Sequence, residues 1–121
     1  MKHFIRVFFV FLLIANSSYA QKDTLRVLFA GNSYTYYHNL PKVVSELSKS
    51  TSTFIDVTMS TVGGSRLKYH YYNEHGLKTK ELIKNGNFDI VVLQEQSMGT
   101  LTNKEEFFEY SKKLSDYIKQ Y

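Results

Sequence analysis

Val27-Leu28-Phe29-Ala30-Gly31-Asn32-Ser33-Tyr34-Thr35 reads as an apolar strand that stops at Gly-Asn-Ser and then enters a helix. That layout lifts one hydroxyl, on Ser33, to the carboxyl end of a sheet strand, where open α/β folds place their chemistry. The strand itself is expected over Leu25 to Ala30, ended by Gly31. Two later segments fit the same frame. Gly63-Gly64 forms a loop after a second strand, Phe54 to Met59, which alternates and is β-branched. Leu93-Gln94-Glu95-Gln96-Ser97 ends a third strand, Asp89 to Leu93, apolar on both faces. A hydroxyl, small-residue backbone and a side-chain amide at three strand ends point to acyl transfer.

Between the strands lie helical patterns. Pro41 suits a first helical turn, with Val43, Val44 and Leu47 at helical spacing. A second helix is expected over Leu77 to Lys84, closed by Asn85-Gly86-Asn87. Asn103 can cap a third, with Glu105 and Glu106 in its first turn. Phe107, Tyr110, Leu114, Tyr117 and Ile118 or Tyr121 mark its apolar stripe. Strand-helix alternation predicts a three-layer α/β fold, a parallel sheet with helices on both faces and right-handed crossovers. Three strands are few for a doubly wound domain, and a strand apolar on both faces calls for neighbours on both sides. The expectation is the front part of a larger domain, truncated at its C-terminal end.

The first twenty residues stand apart. Lys2, His3 and Arg6 give a positive start, an apolar run follows to Ala15, and Ser18-Tyr19-Ala20 suits a cleavage site. This reads as a secretory signal peptide over residues 1–20, with 21–121 as the domain and export to the periplasm or exterior. The apolar run is too short for a spanning anchor, so no stable membrane attachment is expected after cleavage. The whole chain carries a formal charge of +4, or +2 without Lys2 and Arg6, and its lysines are scattered. Scattered lysines argue against a nucleic-acid partner. With no cysteine in the chain, disulfides and thiolate sites are excluded. Tyr36, Tyr37, Tyr69, Tyr71 and Tyr72 flank the two loops, where they line a cleft or pack its rim.

Gly31-Asn32-Ser33-Tyr34-Thr35 resembles the first block of the SGNH (GDSL-type) hydrolases, usually Gly-Asp-Ser-x-Thr. Gly63 or Gly64 falls where that family has its second-block glycine. Ile90-Val91-Val92-Leu93-Gln94-Glu95-Gln96-Ser97 lies where the third block, a strand then Gly-x-Asn-Asp, is expected. The combination is similar to a secreted bacterial branch of the superfamily. The resemblance implies a flavodoxin-like fold and a serine esterase acting on a small-molecule or carbohydrate ester, such as a carbohydrate O-deacetylase. It needs no cofactor and no metal. It implies Ser33 as nucleophile, and the N–H groups of Ser33 and Gly63 or Gly64 with the Gln96 amide as oxyanion donors.

The residues themselves support those roles. A serine hydroxyl is a poor nucleophile until a base takes its proton. A strand-to-helix turn exposes the oxygen and aims N–H groups and the positive helix end at developing charge. Gly31 permits a tight turn, Asn32 tolerates left-handed backbone and can tie the loop, and Thr35 can bond the next turn. Gln94 rivals Gln96 for the oxyanion, because glutamine is one methylene longer than the family asparagine. Glu95 can orient either amide or a substrate hydroxyl. Arg66 reads as a solvated side chain or a contact for an acidic substrate group. An ordinary βα turn with a capping serine carries the same local pattern as Ser33.

The family's late Asp-x-x-His block has no counterpart here, for no histidine follows His75. His38 lies too close to the turn to serve as the base. His70 and His75, five residues apart, do not share a helical face and read as surface or rim residues. The catalytic histidine is therefore expected outside this chain. The alternative is a non-catalytic SGNH-like module whose cleft holds carbohydrate.

Overall fold

The computed structural model describes residues 22–121. The predicted signal segment lies outside the described residues. Three strands, β1 (Asp23–Gly31), β2 (Thr53–Thr61) and β3 (Ile90–Leu93), form one sheet in the order β2-β1-β3. Both pairings are parallel, with Val27 opposite Val57 and Ile90, and Ala30 opposite Ser60 and Leu93. The fold is therefore α/β with a parallel sheet flanked by helices, as the strand-helix alternation predicts.

Helix α1 (Ser33–Tyr36) follows β1, then a 3-10 turn over Tyr37–Asn39, then α2 (Leu40–Ser48). Pro41 sits in the first turn of α2, where a missing N–H costs nothing. After β2 come α3 (Leu67–Tyr72) and α4 (Thr79–Gly86); after β3 come α5 (Gly99–Thr102) and α6 (Lys104–Ile118). In the order β2-β1-β3, right-handed crossovers put the β1–β2 and β2–β3 connections on opposite faces.

Strand periodicity decides what each face buries. Leu28, Ala30, Ser60 and Leu93 share one face. There Leu67 of α3 and Tyr110 and Leu114 of α6 form the main apolar cluster, with Leu93, Tyr71 and Phe107 packed at its margin. Cations reinforce this layer: Lys80 Nζ lies 4.6 Å from the ring centres of both Tyr71 and Tyr117. Tyr121, a candidate for the α6 stripe, is exposed.

The other face is only partly covered. Helix α2 packs against β2, while Ile90 and Val92 on β3 stay 45% and 38% exposed. The apolar third strand is an edge strand with one face partly open, and among the described residues it has a strand neighbour on one side only. No helix among the described residues is long and apolar enough to cross a membrane.

Candidate functional site

The carboxyl ends of the three strands meet around Asn32. Gly31 ends β1 opposite Thr61 of β2, and the Gln94 N–H continues the β3 ladder by donating to the Ala30 carbonyl at 2.9 Å. Asn32 is 1% exposed and caps α1, its Oδ1 accepting from the Tyr34 N–H at 3.1 Å. Its Nδ2 donates to the Ser65 carbonyl at 3.1 Å and the Glu95 carbonyl at 3.2 Å. One side chain thereby ties the loops after β1, β2 and β3. An ionised aspartate could not do so, because both outer partners are acceptors.

Helix α1 is a single turn. Backbone with positive φ at His38 and Asn39, both 56°, separates it from α2. A helix does begin at Ser33, as expected, but it is one turn long, and one turn carries little macrodipole. What the turn supplies is N–H direction. Thr35 and Tyr36 N–H groups both reach the Asn32 carbonyl, and the Tyr34 N–H reaches its side chain. The Ser33 N–H takes no acceptor among the described residues, and neither do those of Gly63 and Gly64. Ser33 is half-buried, its Oγ has no hydrogen bond among the described residues, and it lines an open depression of about 300 Å³ with Tyr34 and Tyr37. A larger depression, about 410 Å³, lies over Leu101 to Glu106 at the α5–α6 junction, and Ser33 does not line it.

Gln94, rather than Gln96, meets the serine turn. Its Oε1 accepts from the Thr35 hydroxyl and, at 3.4 Å, from the Asn32 N–H. The backbone donor fixes which way the amide faces. Its Nε2 has no partner among the described residues and, as no unsatisfied polar side-chain atom is buried there, it reaches solvent. Thr35, expected to bond its own helix, bonds Gln94 instead. Gly31 makes room for this contact, since a Cβ there would sit 2.7 Å from Gln94 Oε1 and closer still to Thr35 Oγ1. Gln96 is turned into its own loop, its Oε1 accepting from the Met98 N–H at 3.0 Å and its Nε2 donating to Ser97 Oγ at 3.4 Å.

Glu95 neither orients a glutamine amide nor faces outward. Its carboxylate accepts from the Leu67 N–H at 3.1 Å and the Gln96 N–H at 2.8 Å, and lies 3.6 Å from Arg66 Nε. Arg66 in turn pairs with Glu106 at 2.9 Å, so it joins α3 to α6 and is not a solvated side chain. Gly64 is open with φ +69°, and a Cβ on Gly63 would lie 3.2 Å from the Tyr36 hydroxyl, which puts the diglycine beside α1.

His70 is the residue that sequence reasoning misplaced. Far from being at the rim, it is wholly buried. Its Nε2 lies 3.1 Å from both the Gly31 carbonyl and Ser65 Oγ, and its Nδ1 lies 2.7 Å from Thr79 Oγ1. Burial pushes its pKa down to about 4, only partly offset by the Gly31 carbonyl. The available signal was helical spacing: Leu67, His70 and Tyr71 share one face of α3. His38 and His75 are exposed and stack edge-on against Tyr37 and Tyr69. No cluster of three or more metal-ligating side chains occurs among the described residues.

Comparison with protein-family models, with curated proteins and with solved structures returned no match.

Proposed function

We propose that this chain carries the nucleophile and oxyanion half of a secreted SGNH-type serine esterase acting on small-molecule or carbohydrate esters. The observation that carries the reading is convergence. Asn32 joins the Gly-Asn-Ser turn to the loops holding the diglycine and the glutamines. Beside that knot stand a serine oxygen and several donors without partners among the described residues.

In this reading Ser33 Oγ attacks the ester carbonyl carbon. The Ser33 N–H, the Gln94 Nε2 and a diglycine N–H hold the oxyanion. The Oγ proton passes to a histidine supplied from outside the described residues, and from there to the departing alkoxide. The C–O bond to the alcohol breaks, leaving an acyl-Ser33 ester that water hydrolyses. His70 is not that base, because its ring is spent on Gly31, Ser65 and Thr79. The carbohydrate assignment rests on resemblance to the family. Tyr34 and Tyr37, each 65% exposed beside Ser33, suit a ring-shaped substrate.

The test is turnover of p-nitrophenyl acetate by the full-length protein and by Ser33→Ala. Loss of turnover by about 1,000-fold supports the esterase. Equal rates in both proteins remove Ser33 as nucleophile.

A second reading is a carbohydrate-binding module without catalysis. It is favoured by one observation: among the described residues no histidine is hydrogen-bonded to Ser33, and the one buried histidine, His70, is engaged with Gly31, Ser65 and Thr79. Saturable binding of an acetylated oligosaccharide with no release of acetate selects it.

A further inference from the structure

We propose that His70 is a positioning residue for Ser33, acting through the Gly31 carbonyl at the end of a one-way chain of hydrogen bonds that begins at Ser60. What it positions is the nucleophile turn, so the role in catalysis rests on the esterase reading; the geometry does not.

The direction of every proton follows from one group. A carbonyl can only accept. Gly31 O receives Ser65 Oγ at 2.7 Å, which uses the single proton of that hydroxyl. Toward His70 Nε2, at 3.1 Å, Ser65 Oγ can then only accept. Nε2 therefore carries hydrogen, shared between Ser65 Oγ and Gly31 O. In a neutral imidazole Nδ1 is then bare and accepts from Thr79 Oγ1 at 2.7 Å. Thr79 Oγ1, its proton spent, accepts from Ser60 Oγ at 2.8 Å.

Neutrality follows from the surroundings. Among the described residues no carboxylate is hydrogen-bonded to the ring. Glu95 is held by the Leu67 and Gln96 N–H groups, Lys68 pairs with Glu106, Lys80 lies between two tyrosines, and Lys78 is exposed.

The chain reaches the site through one peptide unit. The Gly31 carbonyl and the Asn32 N–H belong to the same plane and point oppositely. Ser65 and His70 hold the carbonyl end, and the N–H end meets Gln94 Oε1. Fixing the first fixes the second. His70 thereby sets both the direction in which the chain enters Ser33 and the seat of the proposed oxyanion amide. Neither Ser65 nor a neighbouring carbonyl can replace a ring that donates from Nε2 toward Gly31 while accepting at Nδ1 from Thr79.

The experiment is nitrogen-15 NMR together with fluorophosphonate labelling, both on the full-length protein that supplies the proposed histidine. Wild-type His70 is expected as the neutral Nε2–H form at pH 7; an Nδ1–H form or an imidazolium overturns the proposal without any variant. In His70→Phe the Asn32 N–H and Gln94 side-chain resonances shift, and in His70→Gln, which keeps a donor, they move less. Labelling of Ser33 slows about tenfold in His70→Phe and partly recovers in His70→Gln. If His70→Phe does not fold, Thr79→Val serves, and a mixture of ring tautomers is expected. A folded His70→Phe with unmoved resonances overturns the positioning role. Absence of labelling in every form, with the resonance shifts present, sinks the esterase reading alone.

Discussion

The two sides of Ser33 are built to opposite specifications. Behind it, Asn32, Ser65 and His70 are almost wholly buried, and every polar side-chain atom finds a partner. In front, Tyr34 and Tyr37 are exposed, and the chain turns through left-handed backbone at His38 and Asn39 without a side-chain cap. Buried, fully paired polar networks admit few alternative geometries, whereas an exposed aromatic rim tolerates change. The back fixes where the oxygen stands; the front is free to suit a substrate.

The largest effect is expected at the knot itself. Asn32→Ala removes three hydrogen bonds and leaves two inward carbonyls without a donor, costing roughly 4 kcal/mol in urea denaturation. Asn32→Asp keeps the cap but sets a carboxylate against both carbonyls. It should be destabilised at pH 7 and recover part of the loss on protonation at low pH.

Acid should strike the same side. The His70 imidazole takes a proton at about 4 in the folded chain against an ordinary value of 6.5. Between those values the unfolded chain binds the extra proton, so stability rises with pH across the window and is lost as pH falls from 6.5 toward 4. Its share is roughly 3 kcal/mol from such a displacement. Urea midpoints measured across that window should lose this slope in His70→Phe, and an unchanged slope contradicts the assignment.

Between the two glutamines the contrast is one of role. Gln94→Ala should lower ester turnover by about 100-fold, as expected for one oxyanion donor. Gln96→Ala should cost only a few-fold. The reverse ranking would return the donor to Gln96. Gly31→Ala is expected to cost about 2 kcal/mol by forcing Thr35 and Gln94 apart. Smallest of all, Tyr34→Ala should leave stability within about 0.5 kcal/mol, and any effect should appear in KM.

The alternation of strands and helices and the three loops at the strand ends were legible because they depend on local pattern. Apolar runs ended by Gly31, by the diglycine and by Gln94 declare strand ends whatever lies around them. What stayed illegible depends on partners far away in the chain. His70 is buried because hydroxyls at Ser60, Ser65 and Thr79 and the carbonyl of Gly31 arrive from four segments. Gln94 outranks Gln96 because it still follows the β3 ladder beside Gly31, while Gln96 lies past the turn. Four apolar residues in a row on the third strand call for cover on both faces, and how far Ile90 and Val92 are covered depends on which neighbours are present.

The central claim is tested most directly by mapping a fluorophosphonate adduct on the full-length protein by mass spectrometry. We predict one adduct, on the Ser33 peptide, abolished by Ser33→Ala. An adduct on another residue, or one that survives that substitution, contradicts it.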